Sequence, residues 1–346
     1  MKVTLRDIAT RANVSATAVS QALRGTGRMS ADLRKRIQLI ATKMGYRVDP
    51  IISAGMAQLR RHPGKRFESI LAWLNATPSP DPTQRNPVFR MVWDGARAQA
   101  ENLGYKLEPF WLNSPDMSPR RLASVFRARG IEGILVLQYY HQAPLDAPPI
   151  EFDFSGFAAT SVTTRLSGSD ITFAQSDHFG CAMLALQEMH KLGYRRIGLI
   201  CPPSIDALTQ HRVLSAYHGF VSLHADMPRL SVFIDEGVNE ANLLTDWLKT
   251  EKPEAVLGWK PPSEFEGLGF NIPSDLGVCM VDRVRELGEC AGVDQSHHEI
   301  GAAAVRQVVS QLQQGLRGVP PLSMATMVEG SWVPGSSLQK CKQRSI

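Results

Sequence analysis

The sequence predicts two structural classes joined end to end: an all-α head, then an α/β core built as two lobes of doubly wound parallel sheet. Three observations carry this. The first 45 residues place apolar side chains at helical spacing in three short runs separated by turn residues. From Phe67 onward, apolar runs of strand length alternate with amphipathic helical stretches. Charge divides at the same place. Residues 1–66 hold 14 Lys/Arg against 3 Asp/Glu, whereas residues 67–346 hold 24 against 30, so a total of +5 is a head of +11 on a body of −6. At 346 residues the chain exceeds what one hydrophobic core serves. A basic head on a mildly acidic body points to a polyanion held at one end only.

The elements of the head follow in order. Thr4-Leu5-Arg6-Asp7 fits a capping box, in which hydroxyl and carboxylate satisfy free N–H groups at a helix start. Leu5, Ile8, Ala9 and Ala12 then form one apolar face. Asn13-Val14 makes a tight turn, and Ser15 caps a second helix. There Val19, Ala22 and Leu23 share one side while Thr17, Ser20, Gln21 and Arg24 share the other. After Gly25-Thr26-Gly27, Ser30 caps a third helix carrying Leu33, Ile37, Ile40 and Met44, which Gly45 ends. Two short helices joined by a tight turn and braced by a third make a helix-turn-helix, whose second helix enters the major groove. Gln21 suits adenine N6/N7 and Thr17 the thymine methyl. Arg28, Ser30, Arg34 and Lys35 suit phosphates, which orient the module without reading bases.

The run VTLRDIATRANVSATAVSQALRG (3–25), continuing through Met29-Ser30 to Met44-Gly45-Tyr46, closely resembles the head of the lactose-repressor (LacI/GalR) family. The resemblance implies that Ala16, Thr17 and Gln21 occupy the principal base-reading positions. It implies that Ser15, Ser20, Arg28, Ser30 and Tyr46 contact the backbone or support those contacts. Thr4 and Leu5, at the start of the first helix, join the DNA-contacting set.

Asp49-Pro50-Ile51-Ile52 reads as an N-cap with proline at the first helical position. The amphipathic stretch Ile51–Leu59 is too short to hold as an isolated helix, since those below ~12–15 residues are marginal. A basic, Pro/Gly-broken linker, Arg60–Arg66, follows. The family's hinge helices fold on DNA, and a leucine from each opens the central base step as wedge side chains do. The matching position here is Gly55, which cannot wedge. Met56 and Leu59 are the replacements on offer, or Gly55 lets two hinge helices approach closely.

In the core, strands are expected at Ser69–Leu74, Lys106–Trp111, Gly133–Gln138, Arg196–Cys201, Ala255–Gly258 and Leu276–Val281. Helices are expected at Val88–Leu103, Ser118–Arg129, Gly180–Leu192 and Leu208–His224. Ligands of such sheets sit at the carboxyl ends of the strands. Asn86-Pro87-Val88-Phe89, HKLGYRRIGLI (190–200), Ile272–Val278, Gly292–Gln295 and Glu299–Gly301 extend the resemblance along the body. It implies a periplasmic-binding-protein-like core with an effector cleft between lobes, crossed by the chain near Phe173–Asp177, Val293–Gln295 and Pro320–Ser323. Arg212 matches the family's effector-binding arginine, Asp282 an acidic pocket residue and Phe89 an apolar wall; Tyr139 is a further candidate. The chain departs from the family at Gly258-Trp259-Lys260-Pro261-Pro262, where the usual acidic hydrogen-bonding residue is missing. Trp259 offers a plane for a sugar ring and Lys260 a charge for an anion.

Several classes find little support. No stretch approaches 18 uninterrupted apolar residues, and the amino terminus has no apolar signal region. Five scattered cysteines fit reduced thiols rather than a disulfide framework or zinc ribbon. No nucleotide fingerprint or nucleophile elbow is present. His297-His298-Glu299 lacks partners at metal-ligand spacing and falls at a surface helix start of the family. No cofactor or metal is implied. The expected organisation is a DNA-binding head at 1–48, hinge and linker at 49–66, an effector-binding and dimerisation core at 67–335 and a polar tail at 336–346. The expected protein is a cytoplasmic, nucleoid-associated homodimer that binds a pseudo-palindromic double-stranded operator as a repressor. A small molecule of carbohydrate type would control it, and it would not be an enzyme. A small-molecule carrier or α/β enzyme with a basic interaction module is the alternative.

Overall fold

A computed structural model of the chain describes residues 5–23, 29–44, 46, 69–84, 86–138, 150–237, 240–284 and 288–341. The expected hinge helix therefore lies outside the described residues, as do Thr4, Arg28, Gly55, Met56, Leu59 and Tyr139. Contacts divide the chain into two units, Met1–Phe67 and Glu68–Ile346.

The head is three helices, α1 (Leu5–Ala12), α2 (Ala16–Leu23) and α3 (Ala31–Lys43). Their apolar stripes bury Ile8, Ala9, Ala12, Val19, Ala22, Ile37 and Ala41 against one another, with Val14, Leu33, Ile40, Met44 and Tyr46 half-buried around them. The turn between α1 and α2 closes when the Val14 N–H donates to Ala9 O at 3.0 Å, with Asn13 in the left-handed region at φ 54°. Asn tolerates that conformation better than most residues. Ser15 Oγ accepts from the Ala18 N–H at 3.1 Å, and Ser30 Oγ from Leu33 at 3.3 Å. Side chains of α3 lock the bundle: Arg36 donates to Ala12 O at 3.3 Å and Gln38 to Ala22 O at 3.1 Å, satisfying carbonyls at the ends of α1 and α2.

The second unit holds two six-stranded sheets. In the first lobe the strands are β1 (Ser69–Asn75), β2 (Tyr105–Trp111), β3 (Gly133–Leu137), β4 (Ala158–Val162), β5 (Thr172–Ser176) and β11 (Ala325–Val328), ordered β11-β5-β4-β3-β1-β2 and all parallel. The second lobe contains β6 (Ile197–Cys201), β7 (Phe233–Ile234), β8 (Ala255–Gly258), β9 (Gly277–Met280), β10 (Ala291–Asp294) and β12 (Ser331–Val333), ordered β12-β10-β9-β8-β6-β7. Only β12 runs antiparallel, against β10. Helices cover both sheets. They are α4 (Pro87–Asn102), α5 (Pro119–Ala128), α6 (His178–Lys191), α7 (Pro203–Leu208), α8 (Arg212–Leu223), α9 (Glu240–Glu251), α10 (Pro262–Gly267) and α11 (His297–Gln314). Because helices flank both faces, strands such as β3 (GILVL) and β6 (IGLIC) are buried along their whole length.

The chain passes between lobes three times. The first passage, at Ser176–His178, and the second, at Asp294–His297, fall where expected. The third does not. The chain first runs through β11, paired parallel to β5, and crosses only at Glu329–Gly330 before entering β12. Gly330 is needed there, since a Cβ would lie 2.5 Å from Val293 Cγ1 and 2.7 Å from Cys181 Sγ. The helix expected over Leu208–His224 begins four residues late, at Arg212, and a separate short helix ends at Leu208. Gln210 and His211 take φ of 56° and 58°, breaking the run and starting α8 at Arg212. That break places Arg212 in the first turn of a helix at the carboxyl end of the second sheet.

Candidate nucleic-acid interface and effector cleft

On the head, burial sorts the side chains of α2 as an interface requires. Val19 and Ala22 are sealed in the bundle, Thr17 is exposed, and Ala16, Ser20 and Gln21 are half-exposed beside it. Ser15 and Ser30 are exposed at the starts of α2 and α3, while Tyr46 rests against the small core. Two short helices therefore hold up one polar surface of hydroxyls and an amide, the chemistry that reads base edges in a major groove.

In the core, the second lobe gathers its polar groups at the carboxyl ends of its strands and at the helix starts after them. Asp282 follows β9, and its Oδ1 meets His297 Nε2 at 2.8 Å at the start of α11. His178 opens α6 just after the first crossing, and Arg212 opens α8. Burial, joined by the positive charges of His297 and Arg212 and opposed by Asp282 and Asp177, holds His178 down to about 4. Burial also works against charge on His297, but the nearby Asp282 carboxylate and its hydrogen bond outweigh it, so His297 is raised above the usual imidazole value. Asp206, on α7, holds His211 Nδ1 at 2.6 Å through Oδ2. On the first-lobe side, Gln138 follows β3 and accepts from the Ser167 N–H at 3.0 Å, and Gln175 lies near the end of β5. The Thr164 hydroxyl donates to Leu208 O at 3.4 Å, joining the first lobe to α7 of the second.

Six buried atoms of these residues have no hydrogen-bond partner among the described residues: Gln138 Nε2, Gln175 Nε2, His178 Nδ1, Asp206 Oδ1, Arg212 Nε and His297 Nδ1. A buried polar atom left unmatched costs about 1–3 kcal/mol. Three of them, on His178, Arg212 and His297, share one electrostatic neighbourhood, and unmatched atoms of this kind are candidate partners of a polar ligand.

The sequence-expected residues fall out unequally. Arg212 and Asp282 belong to the set. Phe89 is buried in the first-lobe core with Trp73 and Val92, a wall of that core more than a surface. Trp259 packs half-buried on the second-lobe core. Lys260 lies within 3.1 Å of both Asp235 and Glu264, so its charge is answered inside the chain. His178, Gln138, Gln175 and Asp206 went unmarked in the sequence. The sequence marks His297 only as a metal candidate at a surface helix start; α11 does begin there, but the side chain is 6% exposed, with Nε2 2.8 Å from Asp282 Oδ1. Among the described residues, no group of His, Cys, Asp or Glu could hold a metal ion. All five cysteines are free, and burial raises each thiol, Cys201 to about 12.

The family profile described as "Bacterial regulatory proteins, lacI family" matches residues 4–49. The chain is 21% identical over 330 residues to the HTH-type transcriptional repressor CytR of Escherichia coli (strain K12), covering 90% of each chain. Residues 4–49 therefore carry a lacI-family head. It is also 22% identical over 325 residues to the HTH-type transcriptional regulator PtxS of Pseudomonas plecoglossicida, again covering 90% of each. Among solved structures, the transcriptional regulator CelR–cellobiose complex matches with TM-score 0.58 and 18% identity, over 97% of this chain and 100% of that one. The Lac repressor dimer bound to operator and the anti-inducer ONPF matches with TM-score 0.54 and 15% identity, over 97% and 99%. These likenesses show the fold, a helix-turn-helix head followed by a two-lobed α/β core. No helix of the described residues is long and apolar enough to cross a membrane.

Proposed function

We propose that this chain is a lacI-family transcriptional repressor that binds a pseudo-palindromic operator as a homodimer and releases or grips it according to a small molecule of carbohydrate type held between its lobes. The observation that carries this is the pairing of two features in one chain: the polar face of α2 in a lacI-family head, and the unmatched polar atoms at the cleft rim. In this reading the head spans residues 1–48, the hinge 49–66, the core 67–335 and the tail 336–346. Ala16, Thr17 and Gln21 read bases; Ser15, Ser20, Arg28, Ser30, Tyr46, Thr4 and Leu5 fix the head on the backbone. Gly55, Met56 and Leu59 meet the minor groove. Arg212 and Asp282 hold the ligand, and Phe89, Tyr139, Trp259 and Lys260 shape or support the pocket. Two heads on one two-fold site follow from helix-turn-helix geometry, in which half-sites lie a helical turn apart. The ligand acts only through its different affinity for the DNA-competent and DNA-incompetent forms. The relatives are transcriptional regulators, and a cytoplasmic, non-enzymatic protein is the reading they support.

The test is selection of duplexes from a random pool by the intact chain, followed by sedimentation of the chain on the selected duplex. A two-fold sequence bound by two chains is expected. Failure to enrich any sequence at low salt would favour a carrier or enzyme whose head is an interaction module.

A further inference from the structure

The charged groups around the cleft are nearly all answered from within the chain. Asp282 faces His297, Asp206 faces His211, and Lys260 faces Asp235 and Glu264. Arg283, next to Asp282, donates to the carbonyls of Cys290 and Gly288. Arg212 differs. Its Nη2 donates to the neutral Gln210 Oε1 at 3.1 Å, its Nε is buried without an acceptor, and it makes no ion pair among the described residues. A half-buried guanidinium with an unmatched donor is a site for an anion, and its planar fork matches a carboxylate with two parallel hydrogen bonds. The His178 ring has a second unmatched nitrogen in the same electrostatic neighbourhood, where Arg212, His297, Asp282 and Asp177 all bear on it. Gln138 Nε2 and Gln175 Nε2 offer donors, and Asp206 Oδ1 an acceptor, to hydroxyls.

We infer that the ligand of this cleft is a sugar acid, its carboxylate seated on Arg212 and His178 and its hydroxyls on Gln138, Gln175 and Asp206. This rests on the effector cleft proposed above and names the chemical class that fills it. A carboxylate brought against His178 supplies the counter-charge that the ring lacks, so the ligand enters together with one proton from solvent, taken up on the imidazole. The free ring is neutral above about pH 4. Affinity therefore rises as pH falls from the ring's value in the complex toward 4, by about tenfold per pH unit, and is flat above that window.

The intact chain is titrated calorimetrically with gluconate, galacturonate, glucose, galactose and glucose 6-phosphate, at pH 5.5 and 7.5 and in buffers of different ionisation enthalpy. The expected result is binding of a sugar acid, tighter at pH 5.5, with an uptake approaching one proton read from the buffer dependence. Arg212→Gln should weaken that binding at least tenfold, and His178→Gln should remove the proton uptake; cooperative melting of each variant establishes that it folds. The wild-type proton count stands whichever variant folds. Binding of neutral sugars or of glucose 6-phosphate in place of the acids overturns the sugar-acid assignment but leaves the effector cleft standing. Sugar-acid binding with no proton uptake, or unchanged in Arg212→Gln, overturns the roles given to His178 and Arg212. No binding by any probe, with operator affinity indifferent to all of them, overturns both this inference and the effector cleft.

Discussion

Gln21 and His178 show how differently two functional side chains are written into a sequence. Gln21 sits in an eight-residue helix whose buried partners, Val19 and Ala22, repeat at helical spacing, so its outward position follows from pattern alone. Its amide matches the two major-groove edges of adenine, and a bidentate contact of that kind contributes about 1–3 kcal/mol of discrimination. Gln21→Ala should therefore relax base choice at one position in each half-site while leaving the head's melting temperature nearly unchanged; selection with the variant that returned the wild-type sequence would remove Gln21 from the reading helix. His178 carries no such pattern. It is one histidine after a polar strand end, and only the crossing between lobes brings it into the company of Arg212, Asp282 and His297. Its placement has a consequence for acid stability. An imidazole kept neutral down to about pH 4 in the fold, but protonated near 6.5 in the unfolded chain, favours unfolding progressively as pH falls between those values. The shift corresponds to roughly 1–3 kcal/mol once the ring's partial access to solvent is allowed for. His178→Gln should flatten the loss of stability between pH 6.5 and 4.5, measured by urea melts of the ligand-free chain; an acid limb as steep as wild type would mean that the ring is not held neutral. His297 works in the opposite sense. Its raised value gives stability that is full below about 6.5 and is lost as pH rises through the folded value.

Elements with strong patterns were legible, and those whose identity depends on a distant partner were not. Six strands appear within a residue or two of their expected bounds, from β1 to β9, because Val, Ile and Leu runs bounded by turn residues leave little choice. β4 (AATSV) and β5 (TFAQS) were missed; their small and polar residues are buried because the strands pair inside the sheet, with Thr160 and Thr172 hydroxyls 2.9 Å apart. β11 and β12 are short, and each exists by adding an edge to a sheet formed from earlier chain. The helix break at Gln210–His211 was also invisible, since the apolar period runs through it. The pairing of α4 with α11 shows the same dependence. The two helices meet backbone to backbone: a Cβ on Gly301 would lie 2.0 Å from Val92 O, and one on Gly95 would lie 2.0 Å from His298 O. Gly301→Ala should thus force the helices apart and cost about 1–3 kcal/mol, as overpacking does. Gly219, on the exposed side of α8, meets nothing within 4 Å, so Gly219→Ala should instead stabilise by about 0.4–1 kcal/mol. Chemical denaturation of the two variants should move in opposite directions; a Gly301→Ala chain as stable as wild type would show that this helix pair has room to yield.

At the scale of the whole molecule, the division of charge is the feature that sets how the chain meets DNA. A head of +11 and a body of −6 would cancel to a weak mean field if they were mixed; kept on separate units, the positive excess faces DNA while the core gives no attraction of its own. Binding should then release counterions in proportion to the phosphates that the heads neutralise, with log K falling against log salt at about −0.9 per phosphate. Six phosphates shared by two heads would give a slope of about −5. The basic residues Arg60, Arg61 and Lys65 fall near the end of the first unit in sequence and contribute to the same excess. Replacing any one that touches a phosphate should lower the magnitude of the slope by about one and weaken selected and unselected duplexes alike, whereas Gln21→Ala should leave the slope unchanged and weaken the selected duplex alone. Titrations of the intact chain at a series of KCl concentrations, on selected and scrambled duplexes, separate these effects. A slope near zero on both duplexes would mean that the head's charge serves something other than DNA. Equal weakening of selected and scrambled duplexes by Gln21→Ala would place that side chain on the phosphate backbone rather than on a base.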